Sequence, residues 1–147
     1  MMKHLLAAAT AATMILAVPA QAQSAPPIIG GEYWEVTGID VADGAGPRYA
    51  NWLATEWRRF NDFSMEQGWI TSYTILSNVH NRHDEPDLYL IRTYASLPDG
   101  AEGDRRREAF QAFVRRTNDQ LAAESGNRAE YRTVMSTSLL QELNFRE

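Results

Sequence analysis

The chain has 147 residues, no cysteine and a formal net charge of −5 at pH 7. That length is one domain's worth of material. The absence of cysteine excludes a disulfide framework, and the acidic balance argues against nucleic acid, which calls for a basic footprint.

Residues 1–22 carry the three-part pattern of a secretory signal peptide. Lys3 and His4 precede an apolar run from Leu5 to Val18, Pro19 breaks it, and Ala20-Gln21-Ala22 is a small-x-small cleavage site. The run falls short of the ~20 apolar residues that span a bilayer. A secreted, periplasmic protein is expected, with no stable membrane span after cleavage. Beyond Lys3 every basic residue is arginine.

Residues 23–31, rich in proline and glycine, read as a flexible leader, and residues 32–147 as a single α+β domain. Residues 32–41, EYWEVTGIDV, predict a first strand, and ADGAGP at 42–47 a turn. Pro47 suits the first turn of a helix. Tyr49, Trp52, Leu53, Trp57, Phe60 and Phe63 then recur at steps of three and four, one apolar stripe on a helix that Gly68 ends. WITSYTILSN, residues 69–78, predicts a second strand, VHNRHDEP a polar loop, and DLYLIRTYAS, residues 87–96, a third strand. Asp104 is the expected N-cap of a second helix ending at Gly126, with Phe110, Phe113, Val114, Thr117 and Leu121 along one side. Arg105, Arg106 and Arg107 would oppose the dipole of its first turn. Glu102, Asp104 and Glu108 flank them, so they read as a solvated helix end rather than a basic patch. The last strand lies in residues 130–147, where Leu139, Gln141, Leu143 and Phe145 alternate with Leu140, Glu142 and Asn144.

The order β-α-β-β-α-β predicts a four-stranded antiparallel sheet with both helices on one face, the ferredoxin-like arrangement. The third strand is apolar on both faces: Leu88, Leu90, Arg92 and Tyr94 on one, Tyr89, Ile91, Thr93 and Ala95 on the other. In the second strand Trp69, Tyr73 and Ile75 face one way, Ile70 and Leu76 the other. A helix-free sheet face of that character needs a cover, and a second copy packed by a two-fold axis is the simplest one.

The strand EYWEVTGIDV feeding a helix through a Gly/Pro turn, the helix ending as MEQGWI and the pair YTILSN…DLYLIRTY are similar to the dimeric α/β-barrel superfamily over residues 32–145. That superfamily includes small cofactor-independent monooxygenases, lactone isomerases, haem-degrading enzymes and stress proteins without known activity. The resemblance implies a homodimer with no cofactor and, if the protein is an enzyme, cofactor-independent oxygenation or isomerisation.

The expected site is a cavity between the paired sheets that binds a small apolar or aromatic ligand. Arg92 stands mid-strand, and its charge calls for an anion, either Glu35 of the first strand or a ligand carboxylate. Tyr73, Tyr94 and Trp34 are candidates to line the same cavity, with ordinary packing as the alternative role. A non-enzymatic envelope protein with a filled dimer interface fits the same sequence. A third reading is a haem or metal protein using His80 or His83, which lie near Asp84, Glu85 and Asp87. No HExxH, GxSxG or phosphate-loop pattern is present.

Overall fold

The computed structural model describes residues 25–147, so the expected signal peptide lies outside the described residues. Strand β1 (Ile28–Val41) leads through a turn into helix α1 (Gly46–Trp52). A π-helical turn (Leu53–Trp57) and helix α2 (Arg58–Glu66) continue the same rod. Strands β2 (Ser72–Ser77) and β3 (Leu88–Tyr94) follow, then helices α3 (Gly100–Val114) and α4 (Asn118–Arg128), and strand β4 (Arg132–Phe145). The protein is α+β, and all strand pairs are antiparallel in the order β2-β3-β1-β4. This arrangement is compatible with the ferredoxin-like fold. Among the described residues no helix is long and apolar enough to cross a membrane.

Register assigns the two sheet faces. Glu35 stands opposite Arg92, Thr37 opposite Leu90 and Ile39 opposite Leu88. This face meets the first helical rod: Ile39, Leu90, Tyr49, Leu53, Trp57 and Tyr131 form the core cluster. The other face carries Trp34, Val36, Tyr89 and Ile91, with Leu76 beside Tyr89 and Leu140 beside Trp34. Gly38 lies there too, and a Cβ on it would stand 2.6 Å from the Pro86 ring. The loop between β2 and β3 therefore seats on β1 only because position 38 has no side chain. The Val41 N–H donates to Asp87 at 2.8 Å and ties down the end of that loop.

Several boundaries differ from expectation, each for a local reason. β1 begins at Ile28, inside the expected leader, because β4 runs equally far and pairs Ile28 with Phe145. The Arg146 N–H also donates to the Pro27 carbonyl at 2.8 Å. β2 begins only at Ser72, and Ile70, expected to share a face with Leu76, parts from it: Ile70 is buried at the helix side while Leu76 lies beside Tyr89 on the other face. Asp99, not Asp104, caps α3, accepting from the Glu102 N–H at 2.8 Å. Arg105–Arg107 thus leave the first turn, and Glu102 there accepts from both Arg105 and Arg106. The expected single helix is two. Arg115 turns left-handed at φ 54°, and Thr117 opens α4 with a reciprocal capping box to Gln120. Gly126 lies within α4, which ends at Arg128. Gly68 does follow the first rod, at φ 67°, where a Cβ would be strained.

In the π-helical turn the Arg58 N–H reaches the Leu53 carbonyl, five residues back. Thr55 accompanies it, its hydroxyl donating to the Asn51 carbonyl at 2.8 Å. The rod is clamped to α3 by aromatic packing, with Phe63 stacked on Phe113 at 4.0 Å and Phe60 edge-on to Phe110 at 5.3 Å.

Glu56 adds a polar clamp, accepting from Arg116 at 2.9 Å and from Arg59 at 3.1 Å. Burial pushes its carboxyl pKa up, but the two arginine hydrogen bonds prevail and hold it below the usual 4.5. The stability it lends is therefore complete above that usual value and is withdrawn as pH falls through the lower folded value. Urea unfolding between about pH 5 and pH 3 should show Glu56→Gln losing less stability than the parent chain. Equal losses in the two proteins would mean that Glu56 takes up no extra proton on unfolding.

Candidate functional site

A cavity of about 500 Å³ lies between the sheet and the helices. β3 supplies Arg92 and Tyr94, the first rod supplies Trp52, Trp57 and Phe60, and α3 supplies Phe110. The apolar stripe of the first rod explains this wall: residues three and four apart on a helix share one face. Trp69 and Ile70 close one side after Gly68 turns the chain. A volume of 300–1,000 Å³ with aromatic walls and a few convergent polar groups is typical of small-molecule pockets.

The polar groups are mostly arginines. Arg92 donates to Glu35 at 3.2 Å and, through Nε, to the Asn61 side-chain oxygen at 2.7 Å. Asn61 is itself buried and donates to the Trp57 carbonyl at 2.7 Å, so Arg92 ties α2 to β1 and β3. Arg106 pairs with Glu102 at 2.7 Å and faces the Trp69 ring. Arg128 lies over the Trp52 ring, 4.3 Å from its centroid. Burial depresses the pKa of its guanidinium, and the neighbouring Arg132 charge adds to that. Tyr94 has its phenol pKa raised, first by burial and then by the Glu35 charge, and its hydroxyl donates to Glu35 at 3.4 Å.

A second cavity of about 140 Å³ adjoins the first, sharing Trp52, Trp57 and Arg92 with it. Glu35, Tyr49 and Arg132 lie on its wall.

The expected site residues divide. Arg92, Glu35 and Tyr94 come together, but on the helix side of the sheet and within one chain, not between two sheets. Glu35 is the partner of Arg92. Trp34 lies on the opposite face, because it pairs in register with Thr93 rather than with Arg92. Tyr73 shares the helix side but borders a separate groove, donating its hydroxyl to Asp62 and standing edge-on to Trp57 at 5.3 Å. His80 and His83 occupy the exposed loop between β2 and β3. Among the described residues no group of three or more histidine, aspartate or glutamate side chains is arranged to hold a metal ion.

Sequence reasoning missed Tyr49, Arg128 and Arg132 as site residues. For the two arginines the signal available was RAEYR at 128–132, where α4 gives way to β4.

Comparison of the chain with protein-family models, with curated proteins and with solved structures finds no match.

Proposed function

We propose that this protein binds a small apolar or aromatic molecule between its sheet and its helices. The observation that carries the reading is the 500 Å³ cavity, walled by aromatic rings from three separate elements, with Arg92 fixed on its wall by hydrogen bonds to Glu35 and Asn61. Chemistry on the ligand, of the cofactor-independent oxygenation or isomerisation kind that the dimeric α/β-barrel resemblance implies, would use Tyr94 and Glu35 as its titratable groups. Export across the membrane belongs to the same reading. So does a homodimer formed through the helix-free sheet face, where Trp34, Leu76 and Leu140 are exposed. A filled interface there would leave the ligand cavity intact, because the two lie on opposite sides of the sheet.

The neutral fluorophore N-phenylnaphthylamine tests the binding. Trp52, Trp57 and Trp69 line the cavity, so tryptophan excitation should transfer to the bound dye. Saturable binding is expected, and Leu121→Trp, which fills the cavity from α4, should weaken it about tenfold, or ~1.4 kcal/mol. Unsaturable dye uptake that ignores the Leu121 substitution would sink the reading.

A further inference from the structure

Three buried side-chain atoms have no hydrogen-bond partner among the described residues: the Tyr49 hydroxyl, Arg128 Nε and Arg132 Nε. All three belong to one corner of the fold. Tyr49 and Arg132 line the smaller cavity, and Arg128 lines the adjoining larger one. Tyr49 is 1 % exposed and Arg132 9 %. Both arginine charges act on the Tyr49 phenol, yet burial outweighs them and pushes its pKa up to about 12. It is therefore a hydrogen-bond donor at neutral pH. Each orphaned donor stays desolvated unless something accepts from it, and a guanidinium does not escape by losing its proton.

The local charge balance points the same way. Arg92, Arg106 and Arg107, the other arginines of the larger cavity, pair with Glu35, Glu102 and Asp104. Arg128 and Arg132 have no carboxylate within salt-bridge distance among the described residues; the side-chain bond of Arg132 goes to the Ser125 hydroxyl at 3.3 Å. Glu124, one turn before Arg128, is held by Arg116 at 3.1 Å. Glu35 faces the smaller cavity, but Arg92 matches its charge. The space of 140 Å³ thus meets one unmatched cation, Arg132, and a phenol donor, while a second unmatched cation, Arg128, stands on the wall of the adjoining larger cavity. The smaller space is several times the ~30 Å³ share of a liquid water, and enough for a planar carboxylate.

We infer that the ligand is the anion of an aromatic or aliphatic carboxylic acid. Its carboxylate accepts from Arg132 and the Tyr49 hydroxyl in the smaller cavity, Arg128 stands over Trp52 at the rim, and its apolar body lies in the larger cavity. This inference rests on the larger cavity being a binding site. Guanidinium groups suit the partner, since their fork of N–H donors matches the two oxygens of a carboxylate.

The test compares naphthoate with naphthamide, which have the same ring system with and without the charge, by titration calorimetry on the full chain. Naphthoate should bind at least about tenfold tighter, and Arg128→Met should bring the two ligands within about threefold by weakening naphthoate more than naphthamide. Arg132→Met should do the same. If it fails to fold by circular dichroism, Tyr49→Phe, which removes only the hydroxyl, should still weaken naphthoate selectively. Equal binding of the two ligands by the parent chain would overturn the carboxylate assignment and leave the apolar cavity standing. Binding of neither would overturn both.

Discussion

Leu140→Glu is expected to turn the proposed two-chain assembly into single chains, read by light scattering at micromolar protein. Leu140 lies beside Trp34 on the helix-free face and is 55 % exposed in the isolated chain. A two-fold interface uses the same patch on both copies, so one substitution introduces two carboxylates. Each would lose its water on pairing, at a cost of several kcal/mol. Val79→Glu in the exposed loop after β2 is the control and should leave the assembly intact. A parent chain that scatters as one subunit, or a pair indifferent to Leu140→Glu, would remove the helix-free face as an interface.

The second large effect concerns Trp57. This side chain is 5 % exposed, stands edge-on to Tyr73, and forms part of the wall of both adjoining cavities. Its carbonyl also accepts from Asn61, which in turn holds Arg92. Trp57→Ala should cost about 3–5 kcal/mol, through lost burial and the void left behind, and lower the melting temperature on the order of 10–20 °C. Trp34→Ala on the helix-free face, measured under conditions that keep the chain single, should cost less than about 1 kcal/mol. Thermal melts that ranked the two substitutions the other way would mean that the core lies on the wrong side of the sheet.

The order of elements was legible because hydrophobic period is a strong local signal. The stripe from Tyr49 to Phe63 and the run of β-branched and aromatic residues in 87–96, between Pro86 and Pro98, needed no tertiary information. The face that each strand residue occupies was not legible, because parity depends on register with strands far away in sequence. Arg92 and Trp34 look equally suited to one cavity until the pairing of Glu35 with Arg92 puts Trp34 behind the sheet. The break at Arg115 had a readable cue in Thr117 and Gln120, the T-x-x-Q of a capping box. The continuous apolar spacing of Phe113, Thr117 and Leu121 across it favoured one helix. The unmatched charge at Arg128 and Arg132 could not be counted from sequence at all. It depends on which carboxylates Arg92 and Arg116 have already taken.

The wide turn at Leu53–Trp57 has a consequence for the length of this helical segment. Each residue advances an α-helix by about 100°. Deleting one residue there would permit a regular helix, but would swing Phe60 and Phe63 away from the phenyl rings of α3 while Tyr49 and Trp52 stayed in place. The upstream half of the rod, with Tyr49 and Trp52, borders the two cavities, and the downstream half carries the aromatic clamp and the Phe60 part of the cavity wall. A one-residue gap in an otherwise similar chain would then mark a protein that keeps the sheet and loses Phe60 from the cavity wall.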